Sequence, residues 1–198
     1  MNNQSVFWKS PELSGLELQK AAYRTHAFTP HFHDEYAIGV FLRGAQEKFY
    51  RGATHTISEG SIYVINPGEI HYGYPIDEHG WTYRMVYVSA DLVKDIASQI
   101  FGQEQDYPYL PELSIKDETL FDNIVNLHHT FKIPGGSLLK KRIRLYFCSW
   151  RSAQKTCRYT SWKLSDQVIQ QTKQIRSRKY WPTLRSIHLS WETCKCRK

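Results

Sequence analysis

From Thr25 onward, runs rich in Tyr, Phe, Val, Ile and Thr are separated by Gly, Pro and Asn, which is the punctuation of short strands and tight turns. Residues 36–43 read as a buried strand ended by Gly44. Residues 46–50 alternate as far as Arg51-Gly52, 55–58 lead into Glu59-Gly60, and 61–65 end at Asn66-Pro67-Gly68. Residues 81–88 form a further strand, with Trp81, Tyr83, Met85 and Tyr87 on one face and Thr82, Arg84, Val86 and Val88 on the other. Several short strands at this spacing predict a sandwich or small barrel. After Ser89 the period changes. Leu92, Ile96 and Ile100 stand four apart, predicting a helix over 91–101 with Ser89 as N-cap and Gly102 past its end. A second helix fits 116–131, where Leu120, Ile124 and Leu127 share a face and Ser114 can cap. A third fits 137 to about 152. From about Cys148 the periodicity degrades, although Trp150, Trp162, Trp181 and Trp191 lie there.

At 198 residues, with 41% hydrophobic and 23% charged content, the composition is that of a globular chain. The longest apolar stretch, 36–42, is far short of the roughly 20 residues a membrane helix needs, so no membrane partner is expected. The N-terminus has no positive leader and no long apolar region, which predicts a cytoplasmic protein. The net charge of +7 conceals a division. Residues 1–133 carry 10 Lys and Arg against 17 Asp and Glu, whereas 134–198 carry 16 against only Asp166 and Glu192. An acidic part followed by a strongly basic segment points to a polyanion, with nucleic acid the first candidate partner. All four cysteines, Cys148, Cys157, Cys194 and Cys196, lie in the basic part. Their spacing suits neither a zinc knuckle nor, without a secretory leader, a disulfide framework.

Chemistry concentrates elsewhere. His31-Phe32-His33 stands just before the first long strand, and Pro67-Gly68-Glu69-Ile70-His71 lies beyond two hairpins. Histidines two apart project to one side of an extended chain. If strand pairing brings His71 to that side, three imidazoles converge at the barrel mouth, and three His ligands with an open position are what a catalytic transition-metal site uses. The competing reading, taken here, is a polar pocket without metal or other cofactor. Trp81 or Tyr83 offers a face for a ring or for the apolar side of a sugar, unless these aromatics are simply core. Glu69 reads as a solvated turn residue.

The order His-x-His, Gly44, Gly60 and Pro67-Gly68-x-x-His71 resembles the two motifs of the cupin superfamily. In metal-binding cupins a Glu follows the His pair, and here Ala37 or Ile38 takes that place. More specifically, 31–44 continuing to 60–71 resembles the N-terminal sensor domain of AraC-type bacterial transcription regulators, over about residues 20–150 and most strongly in the first half. The resemblance implies an α+β chain. An N-terminal arm (1–20) precedes a cupin (double-stranded β-helix) effector-binding barrel (21–90) and a helical dimerisation region (91–155). A basic, partly unpatterned remnant of a helix-turn-helix domain (156–198) follows. It implies a small-molecule effector, with sugars among the candidates, bordered by His31, His33, Tyr36, His71 and Trp81, together with a homodimer and promoter DNA. Residues 167–174 resemble the opening helix of the family's DNA-binding domain, and 187–190 the start of its first recognition helix. Ser186, His188, Ser190 and Lys195 are therefore the expected DNA contacts.

The tail departs from the family pattern: residues 180–186 keep only traces of the expected second helix, and no second helix-turn-helix follows. A disturbed reading frame after about residue 147, with impaired or lost DNA binding, is the expectation. The alternatives are a small metal-dependent cupin enzyme using His31, His33 and His71, and a cupin-only protein that heterodimerises with an intact relative.

Overall fold

The structure, a computed structural model, describes residues 3–10 and 13–132. In chain order these form β1 (Gln4–Lys9), β2 (Leu16–Tyr23), β3 (Phe28–His31), β4 (Glu35–Arg43), β5 (Ala45–Tyr50), β6 (Ala53–Ser58), β7 (Ile62–Ile65), β8 (His71–Pro75), β9 (Trp81–Ser89), α1 (Ala90–Phe101), β10 (Ser114–Ile115) and α2 (Glu118–Lys132). The strands make two antiparallel sheets, one of six strands in the order β1-β2-β9-β4-β7-β10 and one of four in the order β3-β8-β5-β6. The barrel or sandwich expected from the strand pattern is thus present as a two-sheet antiparallel β-sandwich. The basic tail, the third predicted helix, the cysteines and the expected DNA contacts lie outside the described residues.

The central strands of the six-stranded sheet are buried on both faces. Ala37 and Phe41 of β4 join Tyr63 and Ile65 of β7 and Trp81, Tyr83 and Met85 of β9 in a core facing the smaller sheet, which contributes Tyr50 and Ile57. Tyr36, Ile38 and Val40, with Val86 and Val88, face the other way onto Val93 and Ile96 of α1 and Leu120, Ile124 and Leu127 of α2. Each of these helical side chains removes an apolar group from water, stabilising the fold by about 1.5–3 kcal/mol apiece.

The predicted α1 caps are both present. The Ser89 side chain accepts from Leu92 N, and Gly102 takes the left-handed conformation that ends the helix. At α2 the cap differs from expectation: Asp117 Oδ1 accepts from Leu120 N at 3.0 Å, while Ser114 pairs with Tyr63 as part of β10. The stretch 1–20, expected as an arm, contains β1 and most of β2, and β2 pairs along its whole length with β9. Alternation in residues 16–23 places Leu16 and Leu18 against the helices and Ala21 and Tyr23 in the inter-sheet core, so the segment is a structural strand of the sandwich.

Gly44, between β4 and β5, has φ +73°, and a Cβ there would lie 2.1 Å from the Gly80 carbonyl oxygen. Gly52 has a similar φ of +81° but open space around it. Gly52→Ala is expected to cost about 1–2 kcal/mol from backbone strain alone. Gly44→Ala is expected to cost at least twice as much, a difference that urea denaturation of the two variants checks.

Candidate functional site

Pairing of β3 with β8 sets His31 opposite His71, and His33 follows two residues beyond on the same side. The ring centroids lie 4.3 Å apart for His31 and His71, 5.0 Å for His31 and His33, and 5.1 Å for His33 and His71. One ring nitrogen from each comes within 4.8 Å of the others. His31 Nδ1 sits 2.6 Å from the Thr29 carbonyl oxygen, and His71 Nδ1 2.9 Å from that of Glu69. A carbonyl only accepts, so in the neutral ring Nδ1 carries the proton and Nε2 the lone pair.

These histidines line a cavity of about 30 Å³ between the sheets, with Phe28, Gln46, Lys48, Tyr63, Ile65, Tyr83, Met85 and Tyr87 completing its wall. Burial holds His71 far below its ordinary value, at about 3, against an opposing contribution from the Glu69 carbonyl and with further lowering by Lys48, His31 and His33. His33 is lowered as well, first by burial and then by His31. Lys48 is pulled down to about 8 by burial. The tyrosine hydroxyls of the wall are held protonated, because burial raises Tyr63, Tyr83 and Tyr87.

Of the residues expected around an effector, His31, His33 and His71 are brought together. Tyr36 is not. Its parity on β4 turns it toward the helices, where its hydroxyl donates to the Pro108 carbonyl at 2.6 Å. Trp81 belongs to the inter-sheet core but packs on Tyr23, 5.7 Å between ring centroids, and does not line the cavity. Gln46 and Lys48 escaped the sequence reading. The signal was available, because the alternation of residues 46–50 turns Gln46 and Lys48 to the same side as Tyr50, and Tyr50 is buried.

Glu69 is likewise no solvated turn residue. Arg51 grips it with both ends of its guanidinium, Nε to Oε1 at 2.8 Å and Nη2 to Oε2 at 2.9 Å, and Tyr50 and Asn66 donate to Oε2 as well. Arg51 also reaches the Pro111 carbonyl at 2.8 Å. The turn that follows β5 aims the arginine, its φ of +51° being the one positive value of a non-glycine residue among the described residues.

The sequence profile described as AraC-like ligand binding domain matches residues 13–144. No curated protein matches the chain. Among solved structures, a conserved protein of unknown function from Streptococcus pyogenes, SPY1581, is 18% identical over 45% of this chain and 77% of its own, with a TM-score of 0.39. KdgF from Halomonas sp. is 20% identical over 45% of this chain and 81% of its own, with a TM-score of 0.38. A cupin superfamily protein from Desulfitobacterium hafniense, DSY2733, is 7% identical over the same shares, 45% and 81%, with a TM-score of 0.39.

The depressed His71 sets a pH dependence. In the unfolded chain this histidine protonates near 6.5, whereas in the folded protein it stays neutral down to about 3. Between those values the unfolded state binds the extra proton, so stability present above pH 6.5 is lost as pH falls toward 3. In EDTA, unfolding free energy should fall more steeply below pH 6.5 for the wild type than for His71→Asn, the excess slope approaching about 1.4 kcal/mol per pH unit. Parallel profiles from pH 7.5 to 4.5 in urea titrations would contradict this account of His71.

Proposed function

The chain belongs to the AraC-like ligand-binding domain family, and we propose that its sandwich senses a small-molecule effector for a bacterial transcription regulator. The observation that supports this reading most is the family match over 13–144 on a fold that holds a polar and aromatic cavity between its sheets. Effector binding falls to His31, His33 and His71 with the tyrosines and Lys48 around them. In this reading the chain is a sensor rather than an enzyme and acts in the cytoplasm as a homodimer joined through its helical region. Among the described residues no helix is long and apolar enough to cross a membrane.

The basic segment after residue 133 is then the part that meets DNA, with Ser186, His188, Ser190 and Lys195 as the contacts the family pattern suggests. Its fragmentary motif favours charge-driven binding over sequence reading. A second reading, a metal-dependent cupin enzyme, is favoured by one observation: three histidines present ligand atoms within 4.8 Å of one another, and two of them are oriented by backbone carbonyls as metal-binding histidines commonly are. His31, His33 and His71 would hold the ion, which would supply a Lewis acid. The cation Lys48 in the same wall, and Ala37 or Ile38 in place of a carboxylate ligand, weigh against it.

Metal analysis of the purified protein separates the two readings. The sensor reading expects no stoichiometric metal, together with thermal stabilisation by an effector from a panel of sugars, aromatics and small metabolites. At a hundredfold its Kd such an effector adds about 2.7 kcal/mol. Iron, manganese or zinc held at one equivalent, and lost in the triple His→Ala variant of 31, 33 and 71, would favour the enzyme. For DNA, affinity should drop steeply with salt and differ less than a hundredfold between promoter and unrelated duplex, as fluorescence anisotropy at two or more salt concentrations will show. A larger preference would mean that the basic segment reads sequence.

A further inference from the structure

The cavity wall carries an unbalanced charge. Lys48, only 6% exposed, stands on the inward face of β5 and lines the cavity. Its ammonium lies over the Tyr63 ring, 4.9 Å from the centroid, and among the described residues it makes no hydrogen bond and no ion pair. Two residues away on the same face, Gln46 is 1% exposed, and its Nε2 is buried without an acceptor among the described residues. On the neighbouring β8, a Cβ added to Gly73 would come within 2.6 Å of that nitrogen, so the glycine makes the room the amide occupies. Buried donors left without acceptors are costly, and an uncompensated buried cation more so. One wall thus offers strong donors that lack an anion.

The histidines supply the opposite chemistry. With Nδ1 of His31 and His71 committed to backbone carbonyls, their Nε2 atoms are acceptors and call for a donor from the ligand. Size narrows the choice. A cavity of about 30 Å³ takes a small group, larger than a single water. A compact head group that joins a carboxylate to one neighbouring hydroxyl suits that space and presents both an anionic and a donor end, whereas an intact sugar ring overfills it. Given the effector-sensing reading above, we infer that this cavity takes the head group of a 2-hydroxy acid. Its carboxylate accepts from Lys48 Nζ and Gln46 Nε2, and its hydroxyl donates to a histidine Nε2. Both sets of buried groups are then satisfied by one ligand, through charge-assisted bonds on the carboxylate side.

The test uses the full chain stripped with EDTA and titrated calorimetrically with glycolate, its neutral amide glycolamide, and acetate. Glycolate should bind at least tenfold more tightly than glycolamide, which lacks the charge, and at least threefold more tightly than acetate, which lacks the hydroxyl. Lys48→Met should weaken glycolate at least tenfold. Gln46→Leu, which keeps the charge, should weaken it about threefold and serves if the lysine variant fails to unfold cooperatively by circular dichroism. Equal affinity for glycolate and glycolamide overturns the inference. Glycolate binding that appears only with added Zn²⁺ and survives Lys48→Met overturns it too. If a neutral sugar binds and glycolate does not, the anionic head group is wrong while effector sensing stands. If no neutral or anionic probe binds and the protein instead purifies with a stoichiometric metal, the sensing reading falls with it.

Discussion

Everything in this molecule hangs on the parity of β4 and β9, the two strands at the centre of the six-stranded sheet. Both are covered on both faces, by the smaller sheet on one side and by α1 and α2 on the other. Successive side chains point to opposite faces, so a slip of one residue would exchange the two cores: Tyr36, Ile38 and Val40 would meet the cavity, and Ala37 and Phe41 the helices. The pairing of β4 with β9 runs from Glu35 opposite Ser89 to Arg43 opposite Thr82, with a shift between Phe41 and Arg43. That register puts Tyr83, Met85 and Tyr87 in the cavity wall while Val86 and Val88 hold the helices. The cavity and the helical layer are therefore two faces of the same strands.

Much of this was readable in the sequence because period 2 is a strong signal when one residue type dominates each face. Strands β4, β5, β7 and β9 and helix α1 with both caps fall within a residue or two of the pattern, and the His-x-His spacing with strand period pointed to the histidines. The misses have separate physical causes. β1 and β2 precede the region where aromatic and β-branched residues cluster, and Leu16–Tyr23 mixes Glu17, Gln19 and Lys20 into a strand that pairs on both edges. The family resemblance implied Tyr36, but a resemblance does not fix strand parity, and the parity of β4 turns Tyr36 onto the helices. A lysine inside an alternating strand usually faces solvent, and for Lys48 only the burial of Tyr50 on the same side shows otherwise. Glu69 became a half-buried anchor through Arg51, a partner eighteen residues away that no local pattern announces.

Glu69 also joins the cavity to the rest of the chain. Its carbonyl fixes the His71 tautomer, while its carboxylate holds Arg51 and accepts from Asn66. Asn66 in turn brackets Leu110, donating from Nδ2 to its carbonyl at 2.8 Å and accepting from its N–H at 2.9 Å. Arg51 adds the Pro111 carbonyl, and Tyr36 takes that of Pro108. The segment leading to β10 and α2 is thus tied by polar contacts to the same residue that orients the histidine. His71 is thus joined to Leu110 through two hydrogen-bonded residues, Glu69 and Asn66.

The electrostatics of the interior favour one kind of occupant. Burial and the nearby Lys48 both disfavour the charged form of His71, and burial with His31 does the same for His33, so these rings stay neutral beside a lysine. A dication on the histidines would add to the charge of Lys48 in a low-dielectric space, and like charges there repel more strongly than in water. An anion reverses that sign. It compensates Lys48, leaves His33 and His71 neutral, and needs no carboxylate ligand where Ala37 stands. Metal and anion become compatible only if the anion itself coordinates the ion, and the ligand would then have to outweigh the repulsion the lysine adds. On the effector-sensing reading, the one cation on the inward face of β5 therefore favours a negatively charged occupant over a metal on the three histidines.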